Sequence, residues 1–148
     1  MKKTPRIEDL IPHRSGMKLI DRIIRLEDNL TLAAAVVSER WPLFRDNRVS
    51  SLIALELAAQ TAGAMKIWRR GETKNQDGLG FLAGIKSARF FQADVAKGVE
   101  LLIETACPKI LEHHEGQYGV VSGRVRSSQG LLAEISLQII SLARLPGS

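Results

Sequence analysis

The chain has 148 residues, of which 45% are hydrophobic and 25% charged, a composition typical of a globular protein that folds as a single domain over residues 1–148. Its apolar runs are too short to span a membrane and its first residues lack the apolar core of a signal peptide, so the sequence predicts a cytoplasmic protein. The net charge of +5 suits an acidic protein partner, whereas the basic clusters lack the interleaved aromatic residues of a nucleic-acid surface.

Two extended stretches rich in Ile, Leu and Val come first, at residues 17–27 and 30–39. The Asp28-Asn29 pair between them predicts a tight turn, so the two stretches should form a hairpin. Residues 40–50 are expected to form a loop. Ser50 or Ser51 can cap the helix that follows.

The predicted helix begins with SSLIALELAAQTAG at residues 50–63 and ends near the cationic residues 66–70, before Gly71. This stretch has almost no polar face, which is typical of a buried helix. Glu56 is the exception, and on a 3.6-residue repeat it shares its side with Leu52, Ala59 and Gly63. Removal from water favours the neutral form of a carboxyl group, which suits Glu56 to exchanging protons near neutral pH.

Residues 71–78 are expected to form a polar loop. Four more extended stretches follow it, at residues 79–91, 99–109, 117–126 and 131–142. Turns at residues 96–98, 112–116 and 127–130 separate them. The order of two strands, one helix and four strands predicts an α+β domain in which a six-stranded antiparallel sheet wraps around one long central helix. Such a sheet has exposed edges and an uncovered face, so we expect the chain to pair with a second copy as a homodimer or a higher oligomer.

Three motifs in this order resemble those of a known family. Residues 11–22, IPHRSGMKLIDR, resemble an "LPHR…LxDR" opening, and residues 55–63, LELAAQTAG, resemble an "EAMAQAAG" helix. Residues 81–90, FLAGIKSARF, followed by Lys97-Gly98, resemble "FLxGIDKARF…PGD". The motifs cover about residues 8–101 and are those of the 3-hydroxyacyl-acyl-carrier-protein dehydratases of bacterial fatty-acid synthesis. The resemblance implies the hot-dog fold.

The chain departs from this family at one catalytic position. The family carries a histidine in an "HFPGxPxxPG" loop just before its glutamate helix, but residues 42–51 here are PLFRDNRVSS and contain no histidine. Ser50-Ser51 replace the Pro-Gly that opens the family's helix. The "PHxxxMxLxD" spacing at residues 12–21 and the Trp-Pro-Leu-Phe run at residues 41–44 are more similar to divergent dehydratase-like proteins found with polyene-type lipid synthesis.

The resemblance implies that Glu56 takes part in removing water from a 3-hydroxyacyl thioester, where one group takes the C2 proton and another protonates the leaving hydroxyl. The alternative is a glutamate that fixes a helix–sheet or dimer contact through hydrogen bonds. His13 is the best remaining catalytic partner, although relatives that have the loop histidine often carry the same Pro-His-Arg, so His13 can equally bond local backbone or a neighbouring subunit.

Three further residues are candidate substrate contacts. Gln60 lies one turn after Glu56 and can orient its carboxylate, and Ser51 lies at the helix N-terminus, whose amides would polarise the thioester carbonyl. Gly84 can leave room for an acyl chain or a pantetheine arm, or simply mark a bulge.

The remaining polar residues do not predict a metal or cofactor site. His113-His114 lie in the expected 112–116 turn, with no carboxylate or thiolate spaced to complete a metal site, and Cys107 is interpreted as a small strand residue. Asp46 and Arg48 can line the mouth of a pocket, and Asp46 is equally well explained as a turn residue.

The sequence therefore predicts a dehydratase-like protein acting on thioesters of acyl carrier protein or CoA, without a cofactor. Two alternatives stay open. The glutamate could activate water for thioester hydrolysis, which would make the chain an acyl-thioesterase. Loss of the loop histidine could instead leave a non-catalytic acyl-binding subunit that supports an active paralogue.

Overall fold

A computed structural model of the protein describes residues 18–70, 81–107, 110–113 and 116–142. Within them the chain forms ten strands and one helix in the order β1 (Arg22–Leu26), β2 (Leu30–Val36), β3 (Phe44–Arg45), β4 (Arg48–Ser50), α1 (Ile53–Arg70), β5 (Phe81–Phe90), β6 (Asp94–Ala96), β7 (Glu100–Ala106), β8 (Ile110–His113), β9 (Gly116–Ser127) and β10 (Gly130–Leu142).

The large sheet has the strand order β1-β2-β7-β9-β10-β5, and every pair in it is antiparallel. β9 is long enough to pair with two strands in succession, because its residues 122–126 face β7 and its residues 116–119 face β8. The six strands along the main path are the six that the sequence predicts. The α+β expectation, an antiparallel sheet with one helix packed on it, is confirmed.

The structure differs from the sequence-based expectation where strands are short. The expected loop at residues 40–50 contains the hairpin β3–β4, which joins β6 in a small three-stranded sheet. Asp46 and Asn47 form its two-residue turn, and both have positive φ, of 52° and 63°. Such a turn has the twist that flanking strands require, and Asp and Asn tolerate it better than most residues. The expected turn at residues 112–116 also begins too early, because His113 still belongs to β8.

Helix α1 packs on the inner face of the four middle strands, β2, β7, β9 and β10. Its buried side includes Ile53, Ala54, Leu57, Ala58 and Thr61. Alternate residues of the strands complete the core, among them Ala33, Ala35, Leu101, Ile103, Val121, Val125, Ile135 and Leu137. Each fully buried Leu or Ile in this core contributes roughly 1.5–3 kcal/mol to folding. Among the described residues, no helix is long and apolar enough to cross a membrane.

The opposite side of α1 is not covered within the single chain. Leu52 is 52% exposed, and Glu56, Ala59 and Gly63 on the same side are half-buried. The expectation of a helix buried all round is therefore wrong for one chain. The physical reason is that a single sheet covers only the side of the helix that rests on it.

The helix and the sheet approach each other most tightly at Gly123 on β9. A Cβ atom added at this glycine would lie 3.2 Å from the Cβ of Ala58 and 3.8 Å from Cγ2 of Thr105. This spacing is below ordinary van der Waals contact, so two small residues, Ala58 and Gly123, set how close the helix lies to the sheet.

We predict that Gly123→Val lowers the free energy of unfolding by about 1–3 kcal/mol, because the added methyl groups force the helix away from the sheet. Urea unfolding followed by circular dichroism measures the change. Gly63→Ala is the matched control, since a Cβ at Gly63 meets nothing within 4 Å. Removing a helical glycine should leave stability unchanged or raise it by about 0.5–1 kcal/mol. Equal losses in the two variants would contradict the assigned contact.

Candidate functional site

Glu56 is held by a hydrogen-bonded chain that begins at the backbone before β1. The backbone N–H of Leu19 donates to Oε1 of Gln60 at 3.1 Å, and Nε2 of Gln60 donates to Oε1 of Glu56 at 3.0 Å. Gln60 is only 2% exposed and Leu19 is 1% exposed. Because an N–H can only meet the oxygen of the amide, Leu19 fixes which way Gln60 points and so directs its NH₂ group to the carboxylate.

The edge strand β5 also leaves apolar side chains uncovered on the helix side of the sheet. The sheet register places Ile85 opposite buried Leu137 and Phe90 opposite buried Ala133, so both side chains lie on the inner face with the helix. Yet Ile85 is 58% exposed and Phe90 39% exposed, since α1 rests on the middle strands. The single chain thus leaves apolar side chains uncovered in two places, at Leu52 beside Glu56 on the helix and on the inner face of β5.

Ser51 fixes the start of the helix. It is 3% exposed, its Oγ donates to the carbonyl of Gln92, and its backbone N–H donates to the carbonyl of Ala93 at 3.0 Å. The Oγ of Ser50 accepts the N–H of Leu52 at 3.3 Å. Ser50 thus bonds the residue just before the helix and not an amide of the helix itself, so a side-chain cap by Ser50 or Ser51 stays a prediction, and the hydroxyl of Ser51 ties the helix start to the segment after β5.

Gly84 lies on the other side of the sheet from Glu56. It pairs with Gln138 on β10, and a Cβ added there would lie 3.8 Å from Oε1 of Gln138. Neighbouring Leu137 and Ile139 are buried under the helix, so Gln138 and Gly84 face outward. A bulge does occur in β5, but at Lys86, where the register shifts between Ser136 and Leu137.

The hairpin β3–β4 replaces the histidine loop and forms a separate hollow. A cavity of about 320 Å³ lies here, lined by Leu43, Arg45, Asp46, Arg48, Val49, Ser50, Ala93 and Asp94. Asp46 forms the turn, as one of its two sequence interpretations predicts, and it also lines this hollow, while its place at the mouth of a substrate pocket stays a prediction. Arg48 is engaged at its rim, with Nε 2.6 Å from Oδ1 of Asp94. Glu56 does not line it.

The other candidate residues lie elsewhere or outside the described part of the chain. His13 and His114 fall outside the described residues, and His113 pairs with Gly116 at the end of β8. Cys107 is buried directly after β7. Among the described ranges, no cluster of three or more His, Cys, Asp or Glu residues could hold a metal ion.

Two features of the site had no clear signal in the sequence. The contact of Leu19 with Gln60 uses a backbone N–H, which every residue except proline carries, so no residue type marks it. The exposure of the inner face of β5 depends on which strands the helix covers. This can be determined only when the order of the strands in the sheet is known.

The family comparison covers nearly the whole chain. The family model described as "ApeP-like: ApeP dehydratase" matches residues 5–145. Among curated relatives, the 3-hydroxyacyl-[acyl-carrier-protein] dehydratase FabZ of Pelotomaculum thermopropionicum is 31% identical over 137 residues, which are 88% of this chain and 92% of the relative. The enzyme of the same name from Coxiella burnetii is 30% identical over 116 residues, which are 74% of this chain and 79% of the relative.

Solved structures show the same fold. A chain of the dehydratase heterocomplex ApeI:P from Xenorhabdus doucetiae superposes with a TM-score of 0.75 at 19% identity, covering 97% of this chain and 94% of that one. A hypothetical thioesterase from Streptococcus pneumoniae, solved with coenzyme A, gives a TM-score of 0.60 at 14% identity over 81% of this chain and 84% of that one. The hot-dog fold and the dehydratase resemblance are thus confirmed, and the chain belongs to the ApeP-like dehydratase family.

Proposed function

We propose that the chain serves the dehydration of 3-hydroxyacyl thioesters carried by acyl carrier protein, with Glu56 as a proton-transferring carboxylate. The observation that carries this proposal is the geometry at Glu56. A carboxylate stands on the uncovered apolar side of α1, and the bridge through Gln60 to Leu19 fixes its direction. The names of the FabZ relatives support the reaction and the carrier.

The reaction removes one proton from C2 and the hydroxyl group from C3 of the acyl chain, and leaves a trans-2-enoyl thioester and water. A carboxylate next to C2 can take the proton, and a second group must protonate the leaving hydroxyl. Glu56 would meet the first requirement, because it lies on an uncovered side of the helix where apolar side chains such as Leu52 would shield an acyl chain from water.

The second group is a histidine in our proposal, from one of two sources. His13 lies six residues before Leu19, which contacts Gln60, so at most about 20 Å of extended chain separates His13 from the site. The other source is a second hot-dog subunit covering the apolar side of α1, either a copy of this chain or a different chain. The structural relative from Xenorhabdus doucetiae belongs to a heterocomplex.

The remaining site residues would position the thioester. The N-terminus of α1, held by Ser51, would present backbone amides to the thioester carbonyl. Gly84 would contribute through its backbone on the edge strand, since its Cβ direction points to the outer face. The net charge of +5 suits the acidic surface of a carrier protein, and a cytoplasmic location belongs to the same proposal.

We predict that Glu56→Gln lowers dehydration by about 100-fold or more, because an amide can neither accept nor donate the substrate proton in this way. Turnover is followed with 3-hydroxyacyl and trans-2-enoyl thioesters of acyl carrier protein and of CoA, using the chain alone and the complex it forms in its source cells. Glu104→Gln, on the outer face of β7, is the control and should keep full activity. Full activity in Glu56→Gln, or no turnover by either wild-type preparation, would reject the proposal.

The same assay separates the other functions. Release of free thiol without enoyl formation would identify a thioesterase, and tight binding of acyl carrier protein without turnover would identify a non-catalytic subunit. His13→Asn locates the histidine. A loss equal to that of Glu56→Gln assigns it to this chain, and unchanged turnover assigns it to the second subunit.

Gln60 is proposed as a positioning residue, and its two hydrogen bonds can be separated. Gln60→Leu leaves the buried N–H of Leu19 without its acceptor, so we predict a loss of about 1–3 kcal/mol in the free energy of unfolding that does not change between pH 5 and pH 8. Gln60→Glu keeps the acceptor but sets a second carboxylate against Glu56.

The Gln60→Glu variant should therefore be less stable than the wild type at pH 8, and the deficit should shrink towards pH 5 as the introduced, buried carboxyl takes up a proton and the repulsion is lost. Urea unfolding at both pH values measures this difference. In the turnover assay, Gln60→Leu should lower kcat more than it changes KM. A deficit in Gln60→Glu that is the same at both pH values would contradict the assigned contact.

A further inference from the structure

Two buried hydroxyl groups lie opposite each other between the sheet and the helix. The register pairs Thr31 of β2 with Thr105 of β7, and both side chains are 0% exposed. Ala33 and Ile103, two residues along the same strands, belong to the core under α1. Because side chains two apart on a strand share a face, Thr31 and Thr105 also lie on the inner face of the sheet.

Neither hydroxyl has a hydrogen-bond partner, although Oγ1 of Thr31 and Oγ1 of Thr105 are both enclosed. The other buried polar side chains in the described part of the chain, Ser51, Gln60 and Thr61, all have partners. Leaving a buried hydroxyl unsatisfied is unfavourable, and most buried polar groups bond either protein or ordered water. Two such atoms in directly opposed positions therefore indicate a partner that they share.

The backbone pairing holds the two hydroxyls apart. The N–H of Cys107 donates to the carbonyl of Asn29 at 2.9 Å, so Asn29 and Cys107 form a hydrogen-bonded pair of this antiparallel ladder. Pairs of this kind recur at every second residue, which makes Thr31 and Thr105 the next one. The Cα atoms in such a pair lie about 5.5 Å apart, further than the roughly 4.5 Å of the alternate pairs. This separation suits a small molecule that reaches both hydroxyls.

The surroundings restrict what can lie there. Cγ2 of Thr105 would be 3.8 Å from a Cβ added at Gly123, so Thr105 turns its methyl group to β9 and its hydroxyl away from that glycine. Ala58 of the helix closes the space over Gly123, at 3.2 Å from the same added Cβ. A bound molecule must be small, and it must complement hydroxyls that each have one donor and two acceptor sites. Water meets both requirements.

We propose that Thr31 and Thr105 hold one buried water molecule between the sheet and helix α1. The water bonds Oγ1 of both residues and so links β2 to β7 beside the tightest contact of the helix with the sheet. The site is structural, and it does not depend on the proposed dehydration.

Magnetic relaxation dispersion of the water signal tests the site, because it counts water molecules that stay inside a folded protein for longer than the protein tumbles. Wild type should show one such molecule more than Thr31→Val/Thr105→Val, since valine has a similar shape but no hydroxyl. Thr61→Val is the matched control. The hydroxyl of Thr61 already donates to the carbonyl of Leu57 at 2.8 Å, so its removal should leave the count unchanged. An equal count in wild type and the double variant, or the same loss in Thr61→Val, would overturn the inference.

Thermal unfolding, followed by circular dichroism, gives a second readout. Each single valine variant releases the water and leaves the other hydroxyl unsatisfied, so we expect its Tm to fall by roughly 3–6 °C. The double variant removes both hydroxyls and should melt within about 2 °C of wild type, or above it. Deficits that add in the double variant would contradict a shared partner. An unchanged Tm together with an unchanged water count would instead show a direct bond between the hydroxyls, which also rejects the water site.

The serine variant Thr105→Ser separates the hydroxyl from the rest of the side chain. It should retain the water, whereas Thr105→Val should lose it. If the double variant does not fold, this pair of single variants decides the question, and equal water counts in the two would reject the site.

Discussion

A single sheet can bury only one side of the helix that packs on it, and the exposed surfaces of this chain follow from that constraint. Helix α1 carries apolar residues on every side, but the sheet reaches only the side formed by residues such as Ala54, Ala58 and Thr61. Leu52 and the edge-strand residues Ile85 and Phe90 stay exposed as a result. Exposed apolar surface of this kind is costly in water and often marks an interaction site. Glu56 lies on that uncovered side, so a second subunit that covered the helix there would share one face of it with the site.

Placing a carboxylate on an apolar face requires that its direction be controlled. Gln60 provides this control because it is buried between a backbone donor, the N–H of Leu19, and the carboxylate of Glu56. The oxygen and nitrogen of this amide cannot exchange places. The exchange would set the NH₂ group of Gln60 against the N–H of Leu19, which are two donors, and its oxygen against the carboxylate of Glu56, which are two acceptors. The segment leading into β1 is in this way coupled to the helix, although 41 residues separate Leu19 from Gln60 in the chain.

Much of this architecture could be predicted from residue patterns. Alternation of apolar residues located the six main strands. The hairpin at residues 44–50 was missed because β3 and β4 have two and three residues, too few for a period to show. The half-exposure of Glu56 was missed for a different reason. Periodicity reports that a side of a helix is apolar, but what covers that side depends on tertiary or quaternary packing.

The replacement of the histidine loop bears on whether the site is completed by a second chain. In this chain, residues 44–50 form a tight hairpin with a turn at Asp46-Asn47, where both residues have positive φ. These residues include no histidine that could face Glu56. A second copy would bring the same hairpin. A different hot-dog chain with a histidine loop would supply the missing proton-transfer group, so the division of the site between chains turns on which subunit covers the open side of α1.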